Sequence, residues 1–266
     1  MVIERTQNRV AILRVMVRSV ALLVVLLAAL ADFPIQRLRK GGPLHGQDQA
    51  VWMQRWARIV LCVFGVTCNI TGPVPQEGLV VSNHVSYLDI LVLTAAHPGV
   101  FISKKEVKNW PLFGWLAQCA GTIFVLRRTR DDLPAVTAAM VERLRQGESV
   151  MLFPEGTSSN GDGILPFHGA LFESAVQARV PVTPAYLRYA TLQGQPEPLA
   201  YYWGDTILMP HIFRLLGTKS LYAELRFSLE AKLFEDRHAA ATWAHGAIEG
   251  LQATSGHQNS DCMVVG

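Results

Sequence analysis

The sharpest chemical feature of this 266-residue sequence is a histidine and an aspartate five residues apart, His84 and Asp89 in Ser82-Asn83-His84-Val85-Ser86-Tyr87-Leu88-Asp89. The histidine follows a short apolar run. A residue just past the carboxyl end of a buried strand stands where open α/β sheets place their sites. A carboxylate near the start of the next helix turns back to hydrogen-bond the imidazole. It fixes the tautomer and stabilises the imidazolium that forms when the ring takes a proton. Such a pair is a general base without a protein nucleophile, suited to activating a substrate hydroxyl. The competing reading makes Asn83 or Ser86 a helix cap and His84 a structural histidine.

Three further segments carry chemistry. In Phe153-Pro154-Glu155-Gly156-Thr157-Ser158-Ser159, glycine and hydroxyl residues expose backbone N–H groups and small donors suited to a phosphate or polyol headgroup. Glu155 is placed to accept hydrogen bonds from a hydroxyl; taken alone, the string is also an ordinary strand-to-loop turn. Gly121-Thr122-Ile123-Phe124-Val125-Leu126-Arg127-Arg128 reads as a strand whose two arginines offer a bidentate phosphate clamp, or a solvated strand end. Val180-Pro181-Val182-Thr183-Pro184 is bracketed by prolines, which predicts an edge or entry strand. Asn160-Gly161-Asp162-Gly163 is a turn that lacks the carboxylates of a calcium loop. Four scattered cysteines (Cys62, Cys68, Cys119, Cys262) have no C-x-x-C spacing and no neighbouring histidine cluster, which argues against a zinc site or a disulfide framework. Three of them stand in apolar contexts and read as small buried hydrophobes.

The elements that must position these residues follow from hydrophobic patterning. Apolar runs rich in Val, Ile and Phe recur at 79–82, 99–102, 122–126, 150–153, 182–186 and 221–227, with helix-like stretches at 88–96, 133–146 and 170–177 between most of them. Strands alternating with helices predict an α/β domain with a mainly parallel central sheet flanked by helices. Half of the residues are hydrophobic and only 17% are charged, against about a quarter in a soluble chain. That balance excludes a disordered chain and leaves surface intended for lipid.

The first forty residues hold seven basic groups (Arg5, Arg9, Arg14, Arg18, Arg37, Arg39, Lys40) against Glu4 and Asp32, a net of +5 in a chain whose total is +3. Basic charge flanking an apolar run is the pattern anionic headgroups attract, whereas a nucleic-acid platform would interleave aromatics. The run from Val20 to Ala31 is twelve residues, short of the roughly twenty that span a bilayer. Arg14 and Arg18 share one helix face, which suits snorkelling at an interface; a tilted span and a cleavable signal are the other readings. Asp32-Phe33-Pro34 is expected to end this helix, and the apolar stretch 52–66 to form a companion helix. The organisation expected is therefore a basic, apolar, membrane-associated helical segment (1–50), a catalytic domain (51–251) and an unpatterned, disordered tail (252–266).

Jointly the four segments resemble the 1-acylglycerol-3-phosphate acyltransferase family, the lysophospholipid acyltransferases of membrane lipid synthesis. Asn83, His84 and Asp89 meet its N-H-x4-D motif; Gly121, Phe124, Val125 and Arg127 meet G-x-x-F-[IV]-x-R. Residues 153–159 meet F-P-E-G-T-x-S completely, and Val180, Pro181, Val182 and Pro184 meet V-P-[VI]-x-P. The resemblance covers about residues 52–230. It implies that His84 deprotonates a lysolipid hydroxyl, which attacks an acyl thioester directly, with Asp89 orienting His84. It implies substrate binding by Arg127, Glu155 and Gly156, with Thr157 and Lys104 as further candidates. No metal and no cofactor are implied beyond acyl-CoA or acyl carrier protein as donor substrate. The partners implied are a lysolipid acceptor and that acyl carrier, and the location is the cytoplasmic face of a membrane, in bacteria the inner membrane.

Two departures bear on the acceptor. Many members carry a lysine after Pro-Phe downstream of the third motif, where this chain has His168. Tyr202-Trp203-Gly204-Asp205 followed by Met209-Pro210-His211 resembles the sub-branch that includes the lyso-ornithine lipid acyltransferases. The acceptor is then 1-acylglycerol-3-phosphate or lyso-ornithine lipid. Two other classes compete. One is a metal-dependent lipid hydrolase using His84, Asp89, Glu155 and His168, although it lacks a paired-histidine signature. The other is a non-catalytic lipid-binding module.

Overall fold

The computed structural model describes residues 2–125 and 133–255, with side chains from residue 9 onward. Two helices, α1 (Val2–Lys40) and α2 (Gln47–Phe64), open the chain. There follow β1 (Val66–Thr71), β2 (Gly78–Ser82), α3 (Leu88–Ala96), β3 (Val100–Lys104), α4 (Phe113–Cys119), β4 (Ile123–Val125), α5 (Leu133–Arg145), β5 (Ser149–Leu152), α6 (Glu173–Ala178), β6 (Val182–Ala190), α7 (Leu208–Gly217), β7 (Leu221–Phe227) and α8 (Arg237–Thr254). The seven strands form one sheet in the order β1-β7-β6-β2-β5-β3-β4. Strands β6, β2, β5, β3 and β4 run parallel, β1 runs parallel to β7, and β7 lies antiparallel to β6. This is the α/β architecture with a mainly parallel sheet that the strand–helix alternation predicts.

Both faces of the sheet are covered, so β2 and β5 are buried at every position and read as unbroken apolar runs. Alternate residues of one strand therefore enter different cores. From β6, Ala185, Leu187 and Tyr189 join the core under α2, α3 and α7. Val182 and Tyr186 join the core under α5, α6 and α8.

Three expectations are corrected. Strand β6 is central, not an edge. Its Pro184 is tolerated where the ladder to β7 is irregular: the Ser228 N–H still donates to Pro184 O at 2.8 Å, and no regular pairing requires a proline N–H. Val182 bonds Lys232 in an isolated bridge, and the ladder to β7 starts only at Ala185. Secondly, α1 does not end at Pro34 but continues to Lys40. An interior proline costs a helix about 3 kcal/mol, and tertiary contacts at the same turn oppose that cost. Asp32 accepts hydrogen bonds from Trp52 Nε1 and Trp56 Nε1, both at 3.0 Å, and pairs with Arg55. Phe33 meets Trp52 edge-on at 5.1 Å. Thirdly, Cys62 is exposed, while Cys119 is buried and Cys68 half-buried.

Helix α2 stops at Phe64 because Gly65 takes a left-handed φ of 71°. A side chain there would also crowd the Arg18 guanidinium. The chain then enters β1, an edge strand that the apolar run through residue 66 concealed. Helix α8 starts at a capping aspartate, Asp236, and extends to Thr254, so residues 252–254 of the expected tail are helical. Residues 256–266 lie outside the described residues.

Candidate active site

Strands β2 and β5 are adjacent and parallel, with Val81 opposite Leu152, so the loops after both leave the same edge of the sheet. That pairing brings His84 and Glu155 together across 71 residues. The His84 backbone N–H donates to Glu155 Oε1 at 3.0 Å. In the other direction, the Ser159 N–H donates to the His84 carbonyl at 2.8 Å.

His84 Nδ1 lies 2.8 Å from Asp89 Oδ2. The same oxygen accepts the N–H groups of Val85 (2.7 Å) and Ser86 (2.8 Å), and Oδ1 accepts the Tyr189 hydroxyl at 2.8 Å. A carboxylate with this many donors is an ionised acceptor, so Nδ1 carries the proton and Nε2 is left with a free lone pair. Asp89 is fully buried, whereas the His84 side chain is 19% exposed. The imidazole stacks on Phe153 at 4.1 Å with 14° between planes. Phe153 leans in turn on Phe101. The ring is thus held by a hydrogen bond at one edge and an aromatic plate on one face.

Asn83 is not a helix cap. Its side chain donates to Leu187 O and accepts from Leu187 N, both at 2.8 Å, and so extends the β2–β6 pairing one residue past the end of β2. Phe153-Pro154-Glu155-Gly156 is a turn closed by the Gly156 N–H on the Phe153 carbonyl at 3.1 Å. Proline second and glycine fourth fit a type I turn. This turn buries Glu155, which is 4% exposed. Burial pushes the Glu155 carboxyl from 4.5 up to about 7, against the opposing effect of the His84 and Leu165 N–H groups. Its second oxygen, Oε2, is buried without a hydrogen-bond partner among the described residues.

The remaining candidates are less tightly joined to this cluster. Gly156 follows Glu155 with a left-handed φ of 72°, and Thr157 is exposed just beyond it. Lys104 is exposed at the carboxyl end of β3, on the same edge of the sheet. Arg127 lies outside the described residues. His168 is exposed, and its N–H donates to Pro154 O at 2.9 Å. Among the described residues no three of His, Cys, Asp and Glu converge to hold a metal ion, so His168 does not join His84, Asp89 and Glu155 as a fourth ligand.

Two further groups join the site from outside the four motifs. Tyr189 stands 100 residues from Asp89 and meets it only because β6 pairs with β2. The segment 201–211 packs on the His84 loop. The Tyr202 N–H donates to Val85 O at 2.8 Å, and Tyr87 OH lies 3.0 Å from His211 Nδ1. The His211 Nε2–H donates to Tyr201 O at 3.1 Å, which leaves Nδ1 to accept from Tyr87. Burial lowers the His211 pKa and favours this neutral form.

Comparison with known proteins gives consistent results. The acyltransferase family model matches residues 66–188. The chain is 37% identical over 209 residues to a lyso-ornithine lipid O-acyltransferase of Pseudomonas aeruginosa, covering 77% of this chain and 80% of that one. It is likewise 37% identical over 204 residues to a 1-acyl-sn-glycerol-3-phosphate acyltransferase of Neisseria meningitidis serogroup B, covering 75% and 79%. The crystal structure of the 1-acyl-sn-glycerophosphate acyltransferase of Thermotoga maritima shares the fold. Its TM-score is 0.68 at 18% identity, over 96% of this chain and all of that one.

Proposed function

The chain belongs to the lysophospholipid acyltransferase family, and we propose that it moves a fatty acyl group from a thioester carrier to the free hydroxyl of a lysolipid. The observation that carries this reading is the His84–Asp89 pair, with Nδ1 tied to a buried carboxylate and the rest of the ring partly exposed. Nε2 takes the hydroxyl proton as the oxygen attacks the thioester carbonyl. The tetrahedral centre then collapses, the C–S bond breaks, and the imidazolium returns its proton to the departing thiolate. Asp89 holds the ring and offsets the transient positive charge. Glu155 Oε2 accepts a hydrogen bond from a donor on the acceptor lipid, and Gly156, Thr157, Lys104 and Arg127 complete the headgroup site.

The donor is acyl-CoA or acyl carrier protein. The acceptor is 1-acylglycerol-3-phosphate or lyso-ornithine lipid, which the two relatives, equal in identity, leave as alternatives. Segment 201–211 supports the ornithine lipid, because it packs directly on the His84 loop where a headgroup must enter.

Both lipids live in a bilayer, and α1 is long and apolar enough, by length and composition, to cross one. Its packing favours lying along the surface instead. Leu22, Ala29 and Phe33 face the protein, while Leu13, Val17, Val20, Val24 and Leu27 form an exposed stripe at helical spacing. The headgroup site then opens on the cytoplasmic face, where the acyl carrier is available.

The test offers both lysolipids in parallel to the purified protein in lipid, each with acyl-CoA and with acyl carrier protein, with and without chelator. Transfer to at least one acceptor is expected, unchanged by chelator and lost by about a thousandfold or more in His84→Ala. Chelator-sensitive hydrolysis without transfer would overturn the assignment.

A further inference from the structure

We propose that Tyr189 is a positioning residue that acts through Asp89 to set the proton affinity of the His84 imidazole. The proposal rests on His84 being the general base.

Asp89 accepts four hydrogen bonds. Three come from its own loop, by way of His84 Nδ1 and the N–H groups of Val85 and Ser86, and all three fall on Oδ2. Among the described residues only Tyr189 reaches Oδ1, at 2.8 Å. Asp89 and Tyr189 are both completely buried, so no water competes for that oxygen and the phenol has no alternative partner in solvent. Burial, with the carboxylate beside it, keeps the phenol protonated and hence a donor. A strand residue with only a packing role at this position needs no hydroxyl; phenylalanine would fill the same space.

The charge on Asp89 is thus divided between the phenol and the imidazole. Other titratable groups face this chain of partners from every side. They are Glu155 after β5, Tyr87 ahead of α3, Tyr201 ahead of α7 and Cys68 on β1, with His211 on α7 behind Tyr87. Their contributions are common to the wild type and to a Tyr189 variant, so the difference between the two profiles isolates the hydroxyl.

Removing the phenol leaves more of the carboxylate charge to the imidazolium, and the protonated ring becomes easier to form. In Tyr189→Phe the acid limb of kcat/KM therefore moves to higher pH by about one unit. This reads as about a tenfold loss of rate on the acid side with little loss on the alkaline side. Replacing Tyr189 by 3-fluorotyrosine strengthens the donor without altering the packing, and moves the limb the opposite way. A purely structural role would lower stability and leave both limbs in place.

The second readout needs no turnover. Carbethoxylation of the His84 peptide by diethyl pyrocarbonate, followed by mass spectrometry across the pH range, should shift in the same two directions. Profiles of both variants that superimpose on the wild type would overturn the proposal. Where the phenylalanine variant fails to fold, the fluorotyrosine variant decides alone. Full transfer activity in His84→Ala would instead overturn the base assignment, while the carbethoxylation profile still reports whether Tyr189 acts through Asp89.

Discussion

At the scale of residues, the site combines one carboxylate that is saturated with donors and one that is starved of them. Among the described residues Asp89 has four donors, whereas Glu155 has a hydrogen bond from the His84 N–H on one oxygen and only the more distant Leu165 N–H besides. Burial acts on Glu155 against few donors, and raises its carboxyl well above the usual carboxylate range. The consequence for Glu155 is a stability effect with a definite sign. Its pKa is raised from 4.5 to about 7 by burial, so between those values the folded protein holds a proton that the unfolded chain has released. Stability therefore falls as pH rises through this window, and the penalty is complete above it. Glu155→Gln keeps an acceptor for the His84 N–H and removes the buried charge. Thermal unfolding should show it more stable than wild type by about 3 kcal/mol above pH 7, with the difference vanishing toward pH 4.5. A constant difference across that range would contradict the burial argument. The His84–Asp89 spacing, the capacity of Glu155 to accept and the turn at Gly156 were all legible in the sequence. Asn83 as a strand fastener, and the donor from Tyr189, were not.

At the scale of elements, the arginines that the sequence places at a membrane interface, Arg14 and Arg18, turn out to bind a helix end. Arg14 donates to Gly217 O at 2.8 Å and Arg18 to Thr218 O at 2.7 Å, so both sit on the last carbonyls of α7. Arg58 of α2 donates in the same way to Ala95 O, at the end of α3. Guanidinium groups satisfy carbonyls that a helix leaves unpaired and oppose its negative end. The four-residue spacing of Arg14 and Arg18 does put both on one face, as expected; what that face meets is protein. Arg18→Ala should lower stability by about 1 kcal/mol and make α1 more susceptible to limited proteolysis. An unchanged melting temperature with weakened vesicle binding would return these arginines to the lipid.

At the scale of the whole molecule, α1 and α2 are joined to each other and to the domain, not attached by a loose tether. Their shared cluster includes Phe33, Trp52 and Cys119 of α4, and Asp32 holds two tryptophans of α2. On the proposed function, the outward stripe of α1 is the part that meets lipid. Leu13, Val17 and Val20 are each about 60% exposed. Changing all three to glutamate should release the protein from vesicles in a sedimentation assay while leaving its unfolding temperature nearly unchanged, because exposed positions carry little of the core. Retention on vesicles after the triple change would count against a surface-lying α1.

The sequence by itself determined the fold class, because a parallel sheet covered on both faces writes itself as short apolar runs between helical stretches. It also determined the local chemistry of each motif, since a histidine, a nearby aspartate and a proline–glycine turn act over a few residues of chain. Tertiary structure decided what no local pattern encodes. It placed the β5 turn against the β2 loop, and it delivered Tyr189 to the far side of Asp89. It put Pro184 in the middle of the sheet where the ladder is irregular, and it carried α1 through Pro34 by anchoring Asp32 and Phe33. In each case the deciding partner lies many residues away, and its position depends on strand order, a property of the whole sheet.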